Sequence, residues 1–487
     1  MKSHRQIFRS SAIIGGASVI NILVGIIKVK MLAILLGPAG VGLMGLYQSI
    51  MGTASTLVGC GLDTSGVRQI VLSQGNQKVL ALVRRALLWG NTLLGGLAMV
   101  LLWMARDPIA KLVFHDANHT AEVGWLGIGV LLTLLSSSQM ALLQGMRRVG
   151  DVARVNIFGS LVGTAFGVLL VWCLGYEGVH WFVISAPLAS AIFSSWYASR
   201  LQINEVEPDW MVLRQQWQAM LSMGLPLMAA ALLTLVTQLI ARTMVMRDLG
   251  LDASGYFQAA WAISMTYIGF VLGAMGVDYL PRLTEVIDDR KRAKQLVSEQ
   301  TEMALLMAAP ILLAMITFAP WLIEIFYTKS FAPAAEILRW QVMGDIFKVI
   351  GWPMGFIVLA QGRGDVFIAT QLNWNLIYLL CVWFGISEIG LLVVGVAFFV
   401  AYVVQVGLIR VVVGRLIGYT TKSSSLGMFA MLLICAGVIL VIGKYWAFVA
   451  LLLGTVFTML FACYSFFQLD KLVGLNSFIC GVIGRLK

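Results

Sequence analysis

Apolar runs of membrane-crossing length recur along the whole chain, separated by short clusters of charge, glycine and proline. They predict helical spans at about residues 11–36, 41–62, 83–105, 123–144, 153–173, 180–199, 218–246, 254–279, 301–326, 337–361, 367–385, 389–413, 426–443 and 446–468. A hydrocarbon core about 30 Å thick takes roughly 20 helical residues per crossing, and these runs lie close to or above that length. They lack the period-two alternation of a membrane barrel, so each backbone polar group must be paired inside its own helix. The pattern therefore predicts an all-α polytopic membrane protein of about 14 spans.

Composition sharpens this reading. The 487 residues are 60% hydrophobic and 12% charged, about half the charged share of a soluble domain. This excludes a disordered chain, a disulfide-stapled secreted scaffold and an ordinary cytosolic enzyme, and the crossings leave no room for a large extramembrane domain. The six cysteines show neither metal nor disulfide spacing and read as small buried hydrophobes. The N-terminal stretch reads as a first span rather than a cleaved signal.

The net charge of +11 reads as positive-inside topology and attraction to anionic lipid, not as nucleic-acid binding. With the N-terminus placed in the cytoplasm, 24 of the 34 Lys and Arg fall in cytoplasmic segments and five in the opposite loops. Such a bias predicts a cytoplasmic N-terminus and C-terminus.

The chain also repeats itself. Leu36-Gly37-Pro38-Ala39-Gly40 closes the first span, and Leu249-Gly250-Leu251-Asp252-Ala253 closes the seventh, 213 positions later. Leu143-Gln144-Gly145 before Gly150-Asp151 is matched by Ala360-Gln361-Gly362 before Gly364-Asp365. Each Gly-Asp reads as a turn followed by an aspartate cap on the next helix. Six spans per copy bring equivalent elements in from the same side, so the copies are expected to be parallel and pseudo-symmetric. The expected organisation is an N-terminal six-helix lobe over 1–200, a cytoplasmic linker over 201–217 and a second six-helix lobe over 218–415. An additional transmembrane hairpin over 424–468 and a cytoplasmic tail over 469–487 follow.

Several polar residues lie inside these spans, where an ammonium costs several kcal/mol unless it snorkels, pairs or faces water. Lys28 shares a helical face with Asn21, whereas Lys30 lies about 200° around the helix from Lys28. Two readings stay open for the lysines: both snorkel to the outer interface, or at least one faces an anion-binding cavity. Arg242, one turn after Gln238, lies near the corresponding end of span 7. Its planar guanidinium suits a diphosphate through several charge-assisted hydrogen bonds, and helix packing is the alternative. Asp345 and Lys348 form an i,i+3 pair on span 10 and read as a self-neutralising structural pair or as a gating or coupling site. At the matching depth of the first copy the chain is the apolar run Leu131 to Leu135. Neither a nucleotide-binding loop nor a nucleophile-and-base constellation is present in the sequence, so no cofactor, metal or bond-making chemistry is expected.

With these residues in view, the sequence resembles the bacterial O-antigen and polysaccharide translocase family, in particular its lipid III flippase-like members. That family is a branch of the multidrug, oligosaccharidyl-lipid and polysaccharide exporter superfamily. The likeness rests on Lys28-Val29-Lys30-Met31-Leu32-Ala33, Leu36-Gly37-Pro38-Ala39-Gly40-Val41-Gly42-Leu43, Gly59-Cys60-Gly61, Tyr279-Leu280-Pro281-Arg282-Leu283-Thr284-Glu285 and Trp340-Gln341-Val342-Met343-Gly344-Asp345-Ile346-Phe347-Lys348. It covers about residues 10–415. The resemblance implies two lobes around a cavity in the bacterial inner membrane, moving undecaprenyl-diphosphate-linked oligosaccharide between leaflets without breaking a bond. It further implies membrane lipids as partners, with a polysaccharide polymerase and chain-length regulator as candidate protein partners. A multidrug or cation exporter of the same superfamily and a polysaccharide polymerase are the competing readings.

Overall fold

The computed structural model describes the backbone of residues 2–115, 118–203 and 210–473, with side chains for all of these except 2–15, 274, 277, 472 and 473. Most of the expected tail 469–487, and residues 204–209 of the expected linker, lie outside the described residues. Every regular element among the described residues is helical. Ten helical stretches there are long and apolar enough to cross a membrane, or eleven with the bent pair Leu251–Gly273 and Asp278–Val286 taken as one span. The chain is thus an all-α polytopic membrane protein. Three of the stretches, Gly16–Gly59, Val149–Ser199 and Gly364–Ile417, run for 44, 51 and 54 residues through internal breaks, well beyond the roughly 20 residues of one crossing.

The chain divides into two compact units, Met1–Gly255 with Phe326–Ser330, and Tyr256–Ile325 with Phe331–Lys487. The first contains α1 (Lys2–Gly59), α2 (Leu62–Ser73), α3 (Gln77–Met104), α4 (Arg106–Phe114), α5 (Thr120–Gly145), α6 (Val149–Leu174), α7 (Val179–Ser199) and α8 (Trp210–Leu249). In it α3 and α7 pack on α5, α6 packs on α7 and on α1, and α1 packs on α8. The short α2 lies against α5, α3 and α8. Its apolar face joins Leu62 and Ile70 to Leu80, Val83 and Leu143 in a buried cluster.

The second unit holds most of α9 (Leu251–Val286), followed by α10 (Arg290–Thr317), α11 (Ala319–Phe326), α12 (Ala334–Ala360), α13 (Gly364–Ile389), α14 (Val393–Ile417), α15 (Ser423–Tyr445) and α16 (Ala447–Val473). Here α14 packs on α12 and α13, while α15 and α16 pair and lie against α10. Tyr279, Leu283, Val297, Met354 and Ile409 anchor its buried cluster.

Several positions at nearly the same offset share local backbone geometry. α1 breaks at Gly37, with φ 66° and ψ −162°, and Gly250 between α8 and α9 has φ 89°. Both lie on the positive-φ side that L side chains resist and glycine accepts. Asn76 and Asp289, also 213 positions apart, cap α3 and α10 by accepting from the backbone N–H groups two and three residues on. α6 and α13 each run 26 residues and end at Gly175 and Gly390, with φ 61° and 59°.

Local details differ from expectation. The left-handed residue before α6 is Arg147, matching Gly362 before α13, so the second motif pair aligns on these residues and not on Gly145. Asp151 and Asp365 sit in the first helical turn rather than at the N-cap. There they favour the helix dipole and pair with Arg154 at 2.9 Å and Arg363 at 3.3 Å. The cysteines described are free, and Cys173 and Cys463 are exposed on their helices rather than buried.

The turn after α8 brings the first residues of α9, which belong to the first unit, close to the start of the second half of α1. A Cβ added at Gly255 would overlap the Pro38 carbonyl oxygen, and one at Gly42 would lie 2.8 Å from the Gly255 nitrogen. Gly255→Ala is therefore expected to destabilise the protein by about 1–3 kcal/mol. Gly437→Ala, where a Cβ meets nothing within 4 Å, stays within about 0.5 kcal/mol of the parent. Thermal unfolding of both variants in detergent checks the difference.

Candidate functional site

Lys28 and Lys30 lie in the first unit on the arm of α1 that precedes Gly37, and Arg242 lies in the same unit on α8. Asn21, ahead of the Gly37 break, accepts a 2.8 Å hydrogen bond from Ser160 Oγ of α6, which fixes that amide to a neighbouring helix. Lys28 is half-buried, with its Nζ 4.8 Å from the centroid of the Phe182 ring on α7. The ring's negative face offsets part of the cost of desolvating the ammonium. Lys30 goes elsewhere, donating to the Tyr327 carbonyl oxygen. The two lysines part company, as their angular separation on the helix requires.

Arg242 is 5% exposed. Its Nη1 donates to the Gly45 carbonyl at 2.8 Å and to Ser49 Oγ, while Ser49 donates to the same carbonyl at 2.9 Å. This closed set of bonds ties α8 to α1 beyond the Gly37 break. Lys28 precedes that break by two to three turns, and the partners of Arg242 follow it by a similar number. Gln238, one turn before Arg242 on α8, is half-buried.

Asp345 and Lys348 lie on α12 of the second unit and act on each other electrostatically, although no salt bridge joins them among the described residues. Asp345 is fully buried, and its Oδ2 accepts a 2.5 Å hydrogen bond from Ser264 Oγ of α9. Lys348 Nζ lies 3.6 Å from Met265 Sδ and 5.7 Å from the centroid of the Tyr402 ring. Asp345 Oδ1 and both side-chain polar atoms of Gln341, one turn earlier, have no bonding partner among the described residues. The second unit therefore holds a carboxylate and an amide with hydrogen-bonding capacity that the described side chains leave unused. Among the described residues no group of three or more His, Cys, Asp or Glu comes together as metal ligands.

A further feature of the first unit escapes a residue-by-residue reading of charge. A cavity of about 630 Å³ lies between α2, α5 and α7, lined by Asp63, Thr64, Thr133, Ser137, Gln144 and others. A second of about 240 Å³ shares Asp63, Thr64, Thr133 and Ser137 with it and adds Asn91 of α3. The Ser136-Ser137-Ser138 run and Thr133 are the signal that marks this wall, set inside a stretch that otherwise reads as apolar.

The chain is 24% identical over 405 residues to the lipid III flippases of Escherichia coli (strain K12) and Shigella flexneri, covering 80% of this chain and 94% of each relative. It is 21% identical over 349 residues to the teichuronic acid biosynthesis protein TuaB of Bacillus subtilis (strain 168), covering 69% of this chain and 68% of that protein. Among solved structures, lipid II flippase MurJ in an inward closed conformation superposes with a TM-score of 0.69 at 13% identity. The match covers 96% of this chain and all of that one. An inward-facing multidrug resistance MATE family transporter of the MOP superfamily gives 0.68 at 15% identity, covering 82% and 95%. These superpositions show a shared fold. The model of the polysaccharide biosynthesis protein family matches residues 7–287, more than half of the sequence, and the chain belongs to that family.

Proposed function

We propose that this protein is a flippase that carries an undecaprenyl-diphosphate-linked oligosaccharide from the cytoplasmic to the periplasmic leaflet of a bacterial inner membrane. The observation that carries this reading is the likeness to lipid III flippases along nearly their whole length. The family match and the MurJ-like fold support it. The protein moves its substrate without making or breaking a covalent bond.

The architecture that suits this task is two pseudo-symmetric six-helix bundles, 1–200 and 218–415, joined by the 201–217 linker. A transmembrane hairpin over 424–468 makes about 14 spans, with both termini cytoplasmic. Supporting it are the positive-inside bias, the overlong helical stretches with internal breaks, and the recurrence of caps and left-handed turns at nearly one offset. Alternating access then follows from rocking of one bundle against the other.

Lys28 and Arg242, supported by Lys30, Asn21 and Gln238, are the residues we assign to the diphosphate. A charged head group entering an apolar body needs compensating charge, since an unpaired ion there costs several kcal/mol or more. Lys28, held over Phe182 with no carboxylate in that contact, is suited to receive an anion. Arg242 spends part of its guanidinium on α1, so its role combines positioning with charge. Asp345 and Lys348 are assigned to gating or coupling, supported by the spare carboxylate oxygen on a fully buried helix face. A polysaccharide polymerase and a chain-length regulator are the expected protein partners.

Purified protein in vesicles is expected to speed the appearance of periodate-accessible head groups in the opposite leaflet, and vesicles without protein set the baseline. Failure of the wild type to exceed that baseline overturns the reading. Lys28→Ala is expected to lower the rate about tenfold or more, the worth of one charge-assisted hydrogen bond, with Lys28→Arg keeping most of it. Arg242→Lys is expected to lower thermal stability by about 1–3 kcal/mol as well as the rate, because the fork geometry toward Gly45 and Ser49 is lost. Asp345→Asn should flatten the dependence of the rate on an imposed ion gradient, a dependence that Lys28→Ala leaves in place.

A further inference from the structure

The cavity of the first unit has a chemistry opposite to that of the cationic residues. No Lys or Arg lines either of its two parts, and Asp63 contributes a carboxylate to both. Three of its hydroxyl groups have already committed their protons. Thr133 Oγ1 donates to the Gly129 carbonyl at 2.7 Å and Ser137 Oγ to the Leu134 carbonyl at 2.9 Å, while Thr64 Oγ1 donates to Asp63 Oδ1 at 3.4 Å. A hydroxyl that donates along its own helix still presents lone pairs, so this wall offers acceptors.

Asn91 adds the second observation. It is 1% exposed, yet neither its Oδ1 nor its Nδ2 has a partner among the described residues, and it lines the smaller part of the cavity. A buried amide left unpaired at both ends costs a few kcal/mol. That cost is recovered by a ligand that both donates and accepts. At about 630 Å³ the larger part alone lies within the ~300–1,000 Å³ of small-molecule sites.

We infer that this cavity is a binding subsite for neutral sugar residues, in which Asn91, Thr133, Ser137 and Asp63 receive the hydroxyl and amide N–H donors of a glycan. A diphosphate does not fit the same chemistry, because its ionised oxygens only accept hydrogen bonds and the Asp63 carboxylate repels them. Sugar hydroxyls donate and accept together, and an N-acetyl group brings one N–H and one carbonyl, which matches the two free ends of Asn91. The inference rests on the transport reading above and deepens it. The diphosphate supplies the common charge, and this uncharged-ligand cavity distinguishes one glycan from another.

The test reconstitutes the full chain and compares two probes, undecaprenyl diphosphate bearing a single N-acetylhexosamine and the same lipid bearing three sugars. The readout is the ratio of their half-saturating concentrations in the leaflet-transfer assay. In the wild type the three-sugar lipid is expected to saturate at the lower concentration. Asn91→Leu is expected to narrow that advantage about tenfold, the loss of one to two neutral hydrogen bonds. Thr133→Val, which keeps the side-chain shape while removing the hydroxyl, narrows it by a smaller factor and guards against misfolding of the first variant. Lys28→Ala weakens both probes together and leaves the ratio as it was. A wild type that moves both lipids, with a ratio unmoved in Asn91→Leu and Thr133→Val, overturns the subsite while leaving the transport reading standing. A wild type that moves neither lipid overturns the transport reading and this inference with it.

Discussion

A polar group enclosed by apolar helices must find its hydrogen bond inside the protein or hold it in reserve for something that binds there. Many of the described buried hydroxyls meet the first condition locally. Ser49, Ser73 and Thr301 donate to the carbonyl one turn earlier on their own helices. Arg242 and Asp345 satisfy it in part between helices, through Gly45 and Ser49 in one unit and Ser264 in the other. Among the described residues that meet neither description, Asn91 in the first unit and Gln341 in the second each leave both ends of an amide unpaired. Asn21 provides the contrast within one residue type, because Ser160 satisfies its carbonyl and leaves it a tie between α1 and α6.

The same constraint explains how much of the fold could be read from the chain. Helical spans were legible because lipid admits few other structures, and a long apolar run has little alternative. The reversals were legible where glycine is required for its backbone angle, as at Gly37 and Gly250. What hydropathy missed were the short helices α4 and α11, of nine and eight residues, because a window sized for a membrane crossing averages over a two-turn element. It also read Gly145 as the counterpart of Gly362, whereas Arg147 takes that left-handed position. A positive φ at a non-glycine residue carries no mark in the composition.

The candidate site divides along similar lines. A lysine or arginine within an apolar run is conspicuous, so Lys28, Lys30, Arg242 and Lys348 were legible as individual residues. Their partners were not, since a Phe ring on α7, a carbonyl beyond α11 and a carbonyl on α1 are each brought in by tertiary packing. The cavity was harder still to foresee. Serine and threonine are tolerated almost anywhere in a membrane helix, because back-bonding hides their polarity. Thr133 therefore passed as part of the apolar run from Leu131 to Leu135. Only the meeting of α2, α3 and α5 around shared space sets Asp63, Asn91, Thr133 and Ser137 in one wall.

That hidden polarity bears on what a carrier of this kind has to accomplish. A charged anchor is held by long-range attraction, which is strong and indifferent to the rest of the ligand. Neutral hydroxyl groups are held by short, directional bonds, and a missing one leaves a buried partner unpaired. Selectivity among ligands that share one anchor has therefore to come from the second kind of contact. Placing both kinds at one point would set a carboxylate against the diphosphate, weakening the anchor. On the proposed assignments, cations on α1 and α8 and acceptors gathered between α2, α3, α5 and α7 keep the two chemistries on different side chains of the same unit. The spacing between the two would then set, on the same assignments, which glycans can engage both, by the length of the sugar chain as well as its composition.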